Sequence, residues 1–237
     1  MTATGAVAGM LALQAVIDNQ VRTALLWLVV CQILDGLDGP IARKLDVVIH
    51  APRVNGNILD LVVDYVTCVV VPVIFLVQLH LLPPRFEVII AGLIFLFSAL
   101  WFARTDLETT DHWFNGFPAV WNLVLPTFLF LHSTRTEVAV ICLILCASQL
   151  TTIKFPHLMR VVPMKNLTIP FAIIYIVNLS VLSWQYSDTN GPGASIFGKA
   201  ILIGFPLYIF TLSIWRTFFW GTRIPVLGFI RKPENLG

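Results

Sequence analysis

Charged residues are scarce in this sequence, and their scarcity excludes most soluble folds. Only 12% of the 237 residues are charged, 57% are hydrophobic and the mean hydropathy is +0.85. Soluble domains carry about 25% charged residues. The net charge of +2 is too small to favour nucleic acid as a partner. The composition therefore indicates an integral membrane protein with no room for a separate soluble domain.

Cysteine is also sparse, which limits the metal chemistry available. The four cysteines, Cys31, Cys68, Cys142 and Cys146, lie in apolar stretches away from any cluster of histidine or acidic residues. A structural zinc site needs a closed set of such ligands, so we expect free thiols in the core. No basic residue precedes the apolar stretch from Thr2 to Val16, so no cleavable signal peptide is expected.

Apolar segments separated by turn residues predict an all-α, polytopic membrane helix bundle of about eight transmembrane helices. We expect one membrane-embedded domain over residues 1–237. The predicted helices cover residues 2–17, 21–43, 57–79, 86–104, 114–132, 136–154, 167–186 and 196–219.

The distribution of lysine and arginine predicts the orientation of this bundle. With both termini on the cytoplasmic side, eleven basic residues fall inside and four fall outside. Positive charge collects in cytoplasmic loops, so this arrangement agrees with the usual rule. The four outside are Arg22, Arg85, Arg135 and Lys199.

Four aspartates interrupt the apolar pattern between residues 34 and 66. Asp35 and Asp38 are about 60° apart on one helix, and Asp60 and Asp64 share a face of the next at a spacing of four. A carboxylate at membrane depth is costly unless it meets water, a partner or a metal. Two helices can therefore present paired carboxylates to a cleft at the cytoplasmic edge. Such a site suits Mg²⁺ or Mn²⁺.

Small residues and one arginine accompany the aspartates. Gly39, Ala42 and Gly56 lack bulk, which lets a ligand or the opposite helix approach the backbone. Arg43 is well placed to bind phosphate in a bidentate manner. The alternative is a polar seam of paired or snorkelling residues near the helix ends, which requires neither the small residues nor a second acidic helix.

These residues form the pattern D-x2-D-G-x2-A-R, a spacer, and G-x3-D-x3-D, which resembles the CDP-alcohol phosphotransferase family. The matched positions are Asp35, Asp38, Gly39, Ala42, Arg43, Gly56, Asp60 and Asp64. The spacer from Lys44 to Asn55 has twelve residues, longer than most members have. This length, the segment "FNGFPAVWN" at 114–122 and the eight predicted helices resemble the bacterial phosphatidylcholine synthase subfamily.

The resemblance implies that a choline hydroxyl attacks the β-phosphorus of CDP-diacylglycerol and releases CMP. It implies two Mn²⁺ or Mg²⁺ ions on Asp35, Asp38, Asp60 and Asp64, with Asp60 and Asp64 catalytic and Asp64 able to act as general base. Gly39, Ala42, Arg43 and Gly56 would bind the nucleotide and pyrophosphate. The resemblance also implies a homodimer in the bacterial inner membrane, with its active site facing the cytoplasm.

Choline has no hydrogen to donate from its ammonium group, so aromatic faces are its expected partners. Candidates near the cytoplasmic helix ends are Tyr65, Trp113, Phe117, Trp121 and Asn122. Trp101 and Phe114 lie in the same region. The stronger alternative for each aromatic is a membrane-interface anchor or a packing residue, and the asparagines could hydrogen-bond between helices.

Two alternative functions remain open. A sister enzyme could use glycerol 3-phosphate, inositol phosphate or serine. The two phosphorylated acceptors would need additional arginine or lysine side chains in the acceptor pocket. A cation- or proton-coupled transporter would place aspartates near the bilayer midplane within repeated halves. The 34–66 pattern has no internal repeat in the sequence.

Overall fold

A computed structural model describes residues 2–44, 54–158, 164–187 and 193–219. Within these ranges the chain forms eight helices and one pair of short antiparallel strands, which confirms the predicted helical class. The helices are α1 Thr2–Ile17, α2 Val21–Lys44, α3 Gly56–Gln78, α4 Glu87–Phe102, α5 Trp121–Leu131, α6 Arg135–Gln149, α7 Lys165–Gln185 and α8 Ile196–Phe219. The strands are β1 Trp113–Asn115 and β2 Lys154–Pro156.

The helices carry apolar surface suited to lipid. By length and composition α3, α7 and α8 are able to cross a membrane, and α1, α4 and α5 are shorter apolar helices. Large apolar side chains such as Val88, Ile196 and Phe197 are exposed on the outside of the bundle. In water such surface would be unfavourable, whereas in lipid it is the normal helix exterior. Eight complete crossings remain a prediction.

Helix starts are fixed by local hydrogen bonds. The Asn55 side chain accepts from the Ile58 amide at the start of α3, and Ser195 accepts from the Gly198 amide at the start of α8. Thr134 and Glu137 form a reciprocal capping box at the start of α6. These side chains satisfy backbone donors that a membrane environment would leave unpaired.

Contacts between loops show that the connections gather at two opposite ends. At one end Gln78 bonds Asn19, and Arg135 donates to the His80 carbonyl. At the other end Arg104 donates to the carbonyls of Gln149 and Thr151. The second end also holds the strand pair and the C-terminal turn of α8.

Six of the predicted helices agree with the structure within two residues at each end, but two were drawn too long. The prediction of helix over 114–120 is wrong, because Gly116 has φ +80° and β1 occupies 113–115. A Cβ on Gly116 would lie 2.2 Å from the Gln149 carbonyl oxygen, so the "NGFP" segment must turn. The prediction of helix over 150–154 is also wrong, since α6 ends at Gln149 and β2 follows.

Candidate active site

Three carboxylates converge where α2 meets α3. Oxygen atoms of Asp35, Asp60 and Asp64 all lie within 4.8 Å of one another, and each residue is half-buried. Asp35 comes from α2 and the other two come from α3. The structure thus brings together three of the four aspartates that the sequence singles out.

The start of α3 presents its two carboxylates on one face. Asn55 caps the helix from an extended conformation, and Gly56 is the first helical residue. Asp60 and Asp64 then follow at a spacing of four, one turn apart. A Cβ on Gly56 would meet no atom within 4 Å, so this position borders open space.

The remaining motif residues follow Asp35 along α2. Asp38, Gly39, Ala42 and Arg43 lie in the last turns of this helix. The side chains of Asp38, Ala42 and Arg43, and residues 45–53 of the spacer, lie outside the described part of the structure.

Charge repulsion within the acidic group would be relieved by a bound cation. Two carboxylates 4.8 Å apart repel by roughly 3 kcal/mol at an effective dielectric constant of about 20. A divalent ion removes this cost, and an all-oxygen ligand set suits Mg²⁺ or Mn²⁺ better than softer metals. The donor set therefore fits the ions that the sequence pattern implies.

A cavity borders the acidic group on its inner side. It lies between α1, α2 and α3, and its wall includes Asp35, Asp64, Gly5 and Thr67. Helix α1 therefore reaches the carboxylates, although the sequence gives it no polar residue of its own at that position except Thr2 and Thr4.

Helix α3 widens directly after Asp64. Residues Tyr65–Val70 form a π-helical segment inside the otherwise α-helical rod. The Thr67 hydroxyl donates to the Val63 carbonyl, and the Tyr65 hydroxyl donates to the Phe95 carbonyl of α4, each at 3.1 Å. π-helical turns within α-helices are frequent at functional sites. The turn following the carboxylates is thus fixed to a neighbouring helix.

A row of aromatic side chains begins at Tyr65, the residue after Asp64. The Tyr65 ring meets the Phe102 ring edge to face, with centroids 5.8 Å apart and an angle of 85°. Phe102 contacts Trp101 at 5.1 Å, and Trp101 contacts Phe114 at 5.6 Å. Tyr65 and Phe102 are both half-buried, so part of each ring remains accessible.

The other residues considered for choline lie deeper. Trp113, Phe117, Trp121 and Asn122 are between 1% and 6% exposed. Trp121 donates to the Ser98 hydroxyl, and Trp113 packs against Leu212 beneath Arg216. Among the five candidates, Tyr65 is thus the one that is not buried.

A mostly apolar groove lies between α2, α5 and α7. Its polar lining residues are Gln32 and Asn122, whose side chains share a 2.8 Å hydrogen bond. Among the described residues Asn122 Oδ1 finds no hydrogen-bond partner. Gln32 precedes Asp35 by three residues on α2, so the groove begins one turn from the acidic group.

Two ion pairs stabilise the loop between α4 and β1 at this end of the bundle. Arg104 binds Asp106 through two 2.8 Å contacts, which lower the pKa of Asp106. Arg216 of α8 donates to Asp111 at 2.9 Å. Burial opposes ionisation of Asp111, but hydrogen bonds from Thr109 and Arg216 outweigh it and lower the pKa of Asp111.

Sequence reasoning did not single out Gln32, Phe102 or the approach of α1 to the acidic group. Gln32 carried a usable signal, since it is a polar residue in an apolar helix one turn from Asp35. Phe102 carried none, because 12% of the chain is aromatic and its neighbours are aromatic as well.

The sequence matches a known protein family and several relatives. The family model for CDP-alcohol phosphatidyltransferase matches residues 1–153, which include all of the acidic group. The chain belongs to the CDP-alcohol phosphatidyltransferase family. It is therefore a phosphotransferase enzyme, and the transporter alternative has no support from the family match.

Relatives within the CDP-alcohol phosphatidyltransferase family carry a more specific name. A phosphatidylcholine synthase of Pseudomonas aeruginosa is 37% identical over 185 residues, 78% of this chain and 78% of that protein. Phosphatidylcholine synthases of Borreliella burgdorferi and Rhizobium meliloti are 31% and 30% identical, with 92% and 89% of both chains covered. The likeness extends beyond the acidic motif over most of the chain.

Proposed function

We propose that this enzyme transfers the phosphatidyl group of CDP-diacylglycerol to choline, giving phosphatidylcholine and CMP. The observation that carries the proposal is the convergence of Asp35, Asp60 and Asp64 within 4.8 Å. A diphosphate substrate needs a site of this kind, since its negative charge must be neutralised during transfer. Choline is the proposed acceptor because the three relatives named above are all phosphatidylcholine synthases.

Two divalent ions, Mn²⁺ or Mg²⁺, would be held by Asp35, Asp38, Asp60 and Asp64. When bound, such ions neutralise the pyrophosphate and increase the electrophilicity of the phosphorus. Gly39, Ala42 and Gly56 would allow the nucleotide and pyrophosphate to lie close to the helix backbones. Arg43 would bind a phosphate oxygen pair.

Asp64 would act as general base toward the acceptor. It accepts the proton of the choline hydroxyl as that oxygen attacks the β-phosphorus. The bond from this phosphorus to the bridging oxygen breaks, and CMP leaves with that oxygen. The protein's part in such a transfer is chiefly alignment and charge stabilisation.

The accessible corner formed by Tyr65 and Phe102 would receive the trimethylammonium group. Their rings stand nearly perpendicular, which offers two aromatic surfaces to one cation. The Tyr65 hydroxyl is already bonded to Phe95, and this bond holds the ring in place. Trp113, Phe117, Trp121 and Asn122 would form the buried wall that supports this corner.

The groove between α2, α5 and α7 would receive the diacylglycerol part of the donor. Its lining is apolar except for the amides of Gln32 and Asn122, which suits acyl chains attached to polar ester groups. Its position one turn from Asp35 would let a single lipid occupy the groove and the acidic group together. The excess of basic residues at the same end favours an active site facing the cytoplasm of a bacterial inner membrane. The assembly would be a homodimer.

An acceptor panel tests this proposal. Purified protein in detergent receives CDP-diacylglycerol, Mn²⁺ and one alcohol at a time, namely choline, serine, glycerol 3-phosphate or inositol phosphate. We expect CMP release with choline alone. Release with another alcohol but not with choline would contradict the acceptor and leave the phosphotransferase activity intact.

A further inference from the structure

At two glycines, the backbone of α1 packs directly against side chains of the carboxylate-bearing part of α3. A Cβ added to Gly5 would lie 2.9 Å from Val63 Cγ1, and a Cβ added to Gly9 would lie 3.1 Å from Thr67 Cγ2. Real Cβ atoms essentially never approach another heavy atom within 3.0 Å. The two glycines therefore set how closely α1 and α3 pack.

The side chains opposite these glycines have little freedom to move away. Val63 is β-branched and buried, and such a residue keeps one strongly preferred rotamer in a helix. Thr67 is buried and its hydroxyl is bonded to the Val63 carbonyl. An added methyl group must consequently displace a helix rather than rotate a side chain.

The contact lies directly behind the acidic group. Val63 immediately precedes Asp64, and Thr67 lies in the π-helical segment that follows it. Gly5 also lines the cavity whose wall includes Asp35 and Asp64. A displacement of α1 from α3 at Gly5 would therefore act on the backbone that carries Asp64.

We infer that Gly5 and Gly9 are positioning residues for the phosphatidyl-transfer site. By admitting α1 against Val63 and Thr67, they hold α3 where Asp64 can share a cation with Asp35. This inference rests on the proposed function, because it assumes that the acidic group binds a divalent ion. It extends the functional part of the chain to a helix with no charged residue.

A Mn²⁺-binding measurement on purified Gly5→Ala tests this role without relying on turnover. The free ion is quantified by electron paramagnetic resonance. We expect affinity to fall about tenfold, the lower end of the loss seen when a residue that orients a metal ligand is changed. The matched control is Gly92→Ala in α4, where a Cβ would meet no atom within 4 Å. Both changes raise helix propensity equally, so only Gly5→Ala should weaken binding.

A compensating change separates positioning from general damage. Val63→Ala removes the methyl groups that the new Cβ would strike, so Gly5→Ala with Val63→Ala should recover most of the lost Mn²⁺ affinity. Should Gly5→Ala fail to fold, Gly9→Ala provides the same test, and its wider 3.1 Å approach predicts a smaller loss.

The outcomes distinguish this inference from the proposal beneath it. Wild-type protein that binds Mn²⁺, together with a glycine variant that binds it equally well, would contradict the positioning role alone. A folded double variant that recovers no affinity would also contradict it. Wild-type protein that binds no Mn²⁺ would contradict the proposed metal site and this inference together.

Discussion

Asp60 offers the sharpest residue-scale test of the acidic group. Asparagine keeps its size but lacks the negative charge that a divalent ion requires. We expect Asp60→Asn to lower CMP release at least about a hundredfold, because the ion supplies several kcal/mol of charge stabilisation. Initial rates over a Mn²⁺ titration measure the loss, and unfolding in metal-free buffer checks the fold.

Asp18→Asn is the matched control for that change. Asp18 lies just beyond α1 at the other end of the bundle, where it accepts hydrogen bonds from Gln14. Its substitution should leave the rate unchanged. A near-normal rate in Asp60→Asn would show that the acidic group is not the reaction centre.

Phe102 and Tyr65 test acceptor recognition at the same scale. Replacing one aromatic face by leucine removes a cation–π contact of about 0.5–2 kcal/mol. Phe102→Leu should therefore raise KM for choline by about two- to thirtyfold, while kcat and KM for CDP-diacylglycerol stay constant.

Phe114→Leu serves as the comparison, because Phe114 belongs to the same aromatic row but is not a ring partner of Tyr65. Equal KM values for choline in both variants would remove the support for a Tyr65–Phe102 site.

At the element scale, the C-terminal turn of α8 is tied to the loop before β1. Arg216 donates to Asp111, and the Thr217 hydroxyl accepts from the Lys154 amide of β2. The pKa of Asp111 is lowered in this arrangement. A group with a lowered pKa in the folded state stabilises the fold above its unfolded pKa, and that contribution is lost as pH falls through the folded pKa.

The Arg216–Asp111 ion pair therefore predicts that the stability of the fold decreases at low pH. Unfolding temperature in detergent should fall more steeply for wild type than for Asp111→Asn as pH decreases from about 5 to below 4, near the ordinary aspartate pKa. Above that window the wild type should be the more stable protein. Parallel curves for the two proteins would show that the ion pair contributes no stability.

Elements also show where sequence reasoning succeeds. Hydropathy located six helices within two residues, because a helix in lipid must satisfy its own backbone and be apolar over its length. The same rule extended two helices as far as β1 and β2, because "GFPAV" at 116–120 and "LTTI" at 150–153 carry no charge. Their strand pairing depends on residues 39 positions or more apart, which local pattern does not reveal.

For the molecule as a whole, the site was predictable only where its residues recur at a helical spacing in the sequence. Asp35, Asp60 and Asp64 could be assigned to two helix faces because carboxylates stand out in an apolar chain. The accessible aromatic could not be separated from buried Trp113 or Trp121, since burial is decided by tertiary packing. The roles of Gly5 and Gly9 were also not predictable, because a glycine in a sequence does not show which residue packs against it.

In the proposed function, one lipid donor occupies the apolar groove and the acidic group while choline occupies the Tyr65–Phe102 corner. Incorporation of deuterated choline tests this proposed reaction most directly. The protein is expressed in a host that makes no phosphatidylcholine, its membranes receive deuterated choline and Mn²⁺, and the lipids are analysed by mass spectrometry. We expect deuterated phosphatidylcholine with wild type and none with Asp60→Asn. Its absence with wild type, while another alcohol enters lipid and CMP is released, would contradict choline as the acceptor.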